Sequence, residues 1–147
     1  MNNLTLAQSY LLKAQSRLKI LDVLYQEGAF SDVVREAQEI VELALKGMLR
    51  QVGVEPPKVH DVGDLILEYR GMFPGEVAAQ ADLLREISRW LRKEREFAFY
   101  GEVDFVPTLE YRAEDAERAM TNAQTAVDAA RLSIPLPGLE QELGQRG

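Results

Sequence analysis

Apolar residues spaced three and four apart run through most of this chain, and that period commits it to helices. Leu4, Ala7, Leu11, Ala14, Leu18, Leu21 and Tyr25 fall on one side of a helix from about Thr5 to Gln26. Thr5 and Gln8 have the spacing of a capping box. Gly28 stops this helix, and Ser31 is the residue expected to cap a second one. There Val34, Ala37, Val41, Ala44 and Met48 repeat the period, while Ile40 and Leu45 widen the apolar face. The two should pair as an antiparallel hairpin. Gly53 ends the second helix, Pro56-Pro57 enforces an extended turn, and His60-Asp61 opens a short amphipathic helix that stops near Gly71.

Pro74-Gly75 then starts a long helix with Val77, Ala81, Leu84, Ile87 and Leu91 inside, expected to reach Phe99 or Tyr100. The run GEVDFVP at 101–107 has no helical period and reads as a loop, with Phe105 turned inward. From Thr108 a last helix carries an alanine seam, Ala116, Ala119, Ala123, Ala126 and Ala130, suited to close helix packing. The proline- and glycine-rich end reads as a mobile tail. No strand-like alternation of useful length appears. The expectation is all-α: an up-and-down helical bundle of four long helices plus one short helix, in one domain at 1–134 with a flexible tail at 135–147.

With 147 residues, 46% of them hydrophobic, the chain can bury one ordinary core. It has no cysteine, which excludes disulfides, thiolate metal sites and cysteine nucleophiles and suits a reducing, cytoplasmic setting. A single histidine without a partner gives no metal site, and nothing calls for a cofactor. No window is long and apolar enough for a membrane span. The net charge of −7 argues against nucleic-acid binding over the whole surface, so any phosphate contact has to be local.

The local candidate is REISRWLRKER at 85–95, with five basic and two acidic residues. Arg85, Arg89 and Arg92 project from one helical face, and Lys93 and Arg95 extend it, so guanidinium contacts to a nucleotide or RNA phosphate are geometrically open. The competing reading is a solvated face paired with Glu86, Glu94 and Glu96. Trp90 either stacks on a base or fills core or interface space. Glu42 and Lys46, four apart in the favourable order, read as a surface pair, with Lys46 able to border an anion site. Asp61 is placed to cap the short helix, and His60 to bond nearby backbone or Glu42.

The succession of alanine, Glu42-x-x-x-Lys46, a loop and His60-Asp61 before an apolar helix resembles the HEPN family of small helical nucleotide- and RNA-associated domains. The resemblance covers roughly Leu6 to Ala130. In HEPN ribonucleases the corresponding late helix carries an arginine followed a turn or so later by histidine, and the pairs from two subunits meet across a dimer interface. Here Arg95-Glu-Phe-Ala-Phe-Tyr100 has the arginine and puts tyrosine where the histidine would fall. Phenol, with an ordinary pKa near 10, cannot exchange protons at neutral pH as imidazole does. The resemblance therefore implies Arg95 as a phosphate-contacting residue without ribonuclease chemistry. It also implies that Tyr100 can receive a nucleotidyl group, as in relatives paired with a minimal nucleotidyltransferase. The expected function is a homodimeric HEPN accessory protein working with a separately encoded minimal nucleotidyltransferase in a toxin–antitoxin module. The alternatives are a dimeric nucleotide- or RNA-binding module and a divergent metal-independent ribonuclease using Arg95 with Tyr100 or His60. The dimer is expected because the alanine-lined helices and the aromatic end of the fourth helix offer more apolar surface than one small bundle hides.

Overall fold

The computed structural model describes residues 4–56, 58, 61–99 and 111–136, with the side chains of 95–99 outside that set. In chain order the elements are α1 (Leu6–Gln26), α2 (Phe30–Gln51), α3 (Val62–Glu68), a 3₁₀ turn (Arg70–Met72), α4 (Gly75–Ala78), α5 (Ala81–Phe99) and α6 (Ala113–Ser133). No strand occurs among the described residues, and the all-helical bundle expected from the sequence is the fold.

Helix α2 is the centre of the bundle, packing against α1, α6 and α5 and touching α3. Its composition explains why. Val33-Val34, Ile40-Val41, Ala44-Leu45 and Met48-Leu49 place adjacent apolar residues on successive turns, and all eight are at most 2% exposed. Such a doubled stripe is too wide for one neighbour and needs helices on two sides. The alanine seam of α6 lies against this centre: Ala116, Ala119, Ala123, Ala126 and Ala130 are fully buried. Its small side chains are thus consumed within the chain, so they supply no free surface for a second subunit.

Close approach also sets the hairpin of α1 on α2. A Cβ on Gly47 would sit 3.2 Å from Cβ of Tyr10 and 3.3 Å from the carbonyl of Ala7, so glycine lets the two backbones come together here. The Thr5–Gln8 capping box is present, with Gln8 N–H donating to Thr5 Oγ1 at 3.1 Å and Thr5 N–H to Gln8 Oε1 at 3.0 Å. Leu4 precedes this cap and is 42% exposed, outside the apolar side to which its spacing assigned it. Gly28 and Gly53 take positive φ, 75° and 81°, where helices α1 and α2 end.

Three boundaries differ from expectation. Ala29, not Ser31, is the N-cap of α2; its carbonyl accepts from Val33 N–H at 3.0 Å, and Ser31 is buried within the first turn. The tight connection explains the shift, because Ala29 N–H bonds Leu24 and the Phe30 ring lies 5.6 Å from that of Tyr25, drawing the helix start toward α1. The helix expected from Pro74 is broken at Ala79-Gln80, where Gln80 N–H bonds the Val77 carbonyl in a tighter turn. Both pieces touch α6, but their other partners differ: α4 meets the 3₁₀ turn, whereas α5 packs on α2 and α3. Helix α6 begins at Ala113, and the expected loop, Phe105 and Thr108 lie outside the described residues. At the other end Ile134 and Leu136 are buried and Gln8 Nε2 donates to the Pro135 carbonyl at 2.8 Å, with residues 137–147 outside the described set.

Candidate functional site

The corner where α3 meets α5 is built on two aspartates. Asp61 caps α3, its Oδ1 accepting from Gly63 N–H at 2.8 Å and from the Ser88 hydroxyl of α5 at 3.0 Å. One carboxylate oxygen thus ends one helix and fastens it to the next. Gly63 makes the contact possible, since a Cβ there would lie 2.9 Å from Cα of Arg85 and 3.0 Å from Cβ of Ser88. Three residues after the cap, Asp64 reaches across to the basic face: Arg85 Nε donates to its Oδ1 at 2.7 Å and Arg89 Nη2 stands 3.6 Å from the same atom.

This pairing changes the reading of the arginine face. The sequence offered Glu86, Glu94 and Glu96 as counter-ions on the same helix; the partner of Arg85 and Arg89 is instead Asp64, on α3. Between 37% and 60% exposed, these three side chains form a surface pair worth about 0–1 kcal/mol, enough to orient the guanidinium groups but weak enough for a phosphate to displace. Arg92 lies further along α5. Arg95 belongs to α5 by its backbone, but its side chain, Tyr100 and His60 lie outside the described residues.

Trp90 packs against the core on α5, and Arg118 from α6 lies over its ring at 3.8 Å from the centroid. That cation–π contact covers one face of the indole, so this face is not open to a base. Tyr111, just ahead of α6, donates its hydroxyl toward the carbonyl oxygen and a carboxylate oxygen of Glu94, both at 2.9 Å. Burial first, and then the Glu94 carboxylate, push the Tyr111 phenol well above its ordinary range, so it stays a neutral donor. Tyr25 makes a similar link from α1, donating to Glu117 of α6 at 2.6 Å.

Glu42 and Lys46 form the expected surface pair on α2 at 3.8 Å, each about one-third exposed. Among the described residues no ion pair joins them to the arginines of α5, and no group of three His, Cys, Asp or Glu could hold a metal. Sequence reasoning missed Asp64 and Arg118. An acidic residue in the first turn of α3 is explained locally by the helix dipole, so nothing in the sequence pointed to its partners on α5.

An α2-centred bundle with a cationic late helix and a short capped helix docked on its flank defines a small all-helical domain. The family follows from comparison: the HEPN domain model matches residues 7–132, and the chain belongs to the HEPN domain family. Searches among curated proteins and among solved structures gave no match. No helix among the described residues is long and apolar enough to cross a membrane.

Proposed function

We propose that this HEPN protein is an accessory subunit, a homodimer that works with a separately encoded minimal nucleotidyltransferase in a toxin–antitoxin module. The observation that carries the reading is the sequence Arg95-Glu-Phe-Ala-Phe-Tyr100, with Arg95 on α5, in a HEPN chain whose sole histidine lies elsewhere. Tyrosine is a poor proton shuttle at neutral pH and a good acceptor for group transfer, so this motif suits receipt of a nucleotidyl group better than RNA cleavage. In that step the Tyr100 oxygen bonds the α-phosphorus of a nucleoside triphosphate. The bond to pyrophosphate breaks, pyrophosphate leaves with the electron pair, and the phenolic proton passes to a base of the partner enzyme.

A nucleic-acid-binding module using Arg85, Arg89, Arg92 and Arg95 has less support, because a phosphate there has to compete with Asp64 for Arg85 and Arg89. The test is incubation of the purified chain with a nucleotidyltransferase encoded beside it and a nucleoside triphosphate, followed by intact-mass measurement. A mass gain of nucleotidyl units, abolished in Tyr100→Phe, is the expected result. An unmodified chain that binds RNA through α5 would replace this reading with the binding module.

A further inference from the structure

The end of α2, the loop beyond it and the first turns of α1 enclose a cleft of about 480 Å³ lined by Tyr10, Lys46, Arg50, Glu55, Pro56 and Lys58. A neighbouring hollow of about 320 Å³ shares Arg50 and Glu55 with it. Among the described residues three cations converge here, in a chain of net charge −7, against one lining carboxylate. Lys46 and Arg50 are one turn apart on α2, and the close approach at Gly47 brings α1 up so that the Arg50 guanidinium lies 5.7 Å from the Tyr10 ring centroid.

Among the described residues these charges are poorly compensated. Arg50 and Lys58 have no carboxylate within ion-pair distance, Glu55 makes no ion pair, and Lys46 meets Glu42 at a long 3.8 Å. The Nε–H of Arg50 is buried without an acceptor, a cost that a bound anion would relieve. Cations at a helix C-terminus also complement its dipole, which accounts for Lys46 and Arg50 on the last turns of α2. It does not account for Lys58, beyond the helix, or for the orphaned Nε–H.

We propose that this cleft binds a small phosphate-bearing anion, with the Arg50 fork and the two lysines taking the phosphate oxygens. The volume lies in the range of small-ligand sites, and a planar guanidinium between two mobile ammonium groups suits a multiply charged phosphate chain. This site uses none of the residues near Tyr100 and stands or falls apart from the accessory role.

Titration calorimetry with inorganic tripolyphosphate, ATP and AMP at low and moderate salt tests it. Saturable binding is expected, tighter for tripolyphosphate and ATP than for AMP and weakening as salt rises. Equal affinity for tripolyphosphate and ATP assigns recognition to phosphate alone; tighter ATP binding shows that the nucleoside is read too, and both support the site. Arg50→Gln and Lys58→Glu should each weaken binding about tenfold or more, while Arg70→Gln, on an exposed turn outside the lining, should not. Should Arg50→Gln fail to fold by circular dichroism, Lys58→Glu decides, since Lys58 is exposed. Absence of saturable binding by the wild type, or wild-type affinity in Lys58→Glu, overturns the proposal.

Discussion

Replacing Gly63 by alanine should destabilise the domain, although alanine is the better helix former. A Cβ at this position would stand 2.9 Å from Cα of Arg85, 3.0 Å from Cβ of Ser88 and 3.2 Å from Oδ1 of Asp61. Carbon atoms in comfortable contact are about 3.5–4.0 Å apart, so α3 must move away from α5 by roughly 0.5–1 Å. Two of the obstructing atoms belong to or adjoin the α5 backbone and cannot swing aside. Overpacking of this kind costs about 1–3 kcal/mol. The third contact is with the cap itself, and loosening the bond from Gly63 N–H to Asp61 adds up to about 1 kcal/mol. Against this stands a helix-propensity gain of at most about 1 kcal/mol, smaller in a first turn. The balance is a loss of about 1–3 kcal/mol, or roughly 2–12 °C in melting temperature for a chain of this size. Urea unfolding followed by circular dichroism measures it as a lower midpoint at unchanged slope. A variant as stable as the wild type, or more so, would refute the close approach of α3 to α5.

The other expectations concern charge and protonation. Asp64→Asn should release Arg85 and Arg89, raising affinity for a short single-stranded RNA at low salt by less than about tenfold and changing stability by under about 1 kcal/mol; unchanged binding in a gel-shift titration would show that the restraint on the arginines is not what limits this face. Because the Tyr111 phenol is raised in the folded chain above its ordinary value of 10.0, its share of stability is complete below that pH and is lost as pH climbs past it. Melting temperatures taken between neutral and strongly alkaline pH should therefore fall less steeply in Tyr111→Phe than in the wild type, and parallel curves would contradict this. The purified protein should leave single-stranded RNA intact; cleavage that survives repurification and disappears in Arg95→Ala would restore the ribonuclease reading. Sedimentation at micromolar concentration should show a dimer, and a monomer with no concentration dependence would remove any function that needs a shared interface.

Where local chemistry decides the fold, the sequence was a sound guide. The three-and-four spacing of Leu11, Ala14 and Leu21 required a helix and named its buried side, and Thr5 with Gln8 located its start to the residue. Asp61 was legible as a cap for the same reason, because the bond it makes spans two residues. Ser31 was misleading. It is a good capping residue by type, but the contact of Phe30 with Tyr25 pulled the helix start forward and turned Ser31 inward. The break at Ala79-Gln80 was equally hidden, since Val77 and Ala81 keep helical spacing and are both buried; the two segments part because their main neighbours differ.

The charged residues show the same division more sharply. Read along the chain, 85–95 is the most cationic stretch, and its neighbours in sequence offer acidic residues on the same helix. Folding brings Asp64 onto Arg85 and Arg89 from α3 and lays Arg118 over Trp90 from α6, so part of the apparent binding face is spent inside the domain. Lys46, Arg50 and Lys58 are scattered among neutral and acidic residues and look unremarkable as a string, yet the end of α2 and the following loop gather them around one cleft with a buried, unpaired Nε–H. A run of like charge in sequence invites compensation from elsewhere in the fold, because leaving it unpaired stores repulsion along one helix. Cations drawn together from separate segments carry a comparable cost, and an anionic ligand is one way to offset it. The spacing of charges in the sequence is therefore a weaker guide to an anion site than the supply of counter-ions in the folded chain.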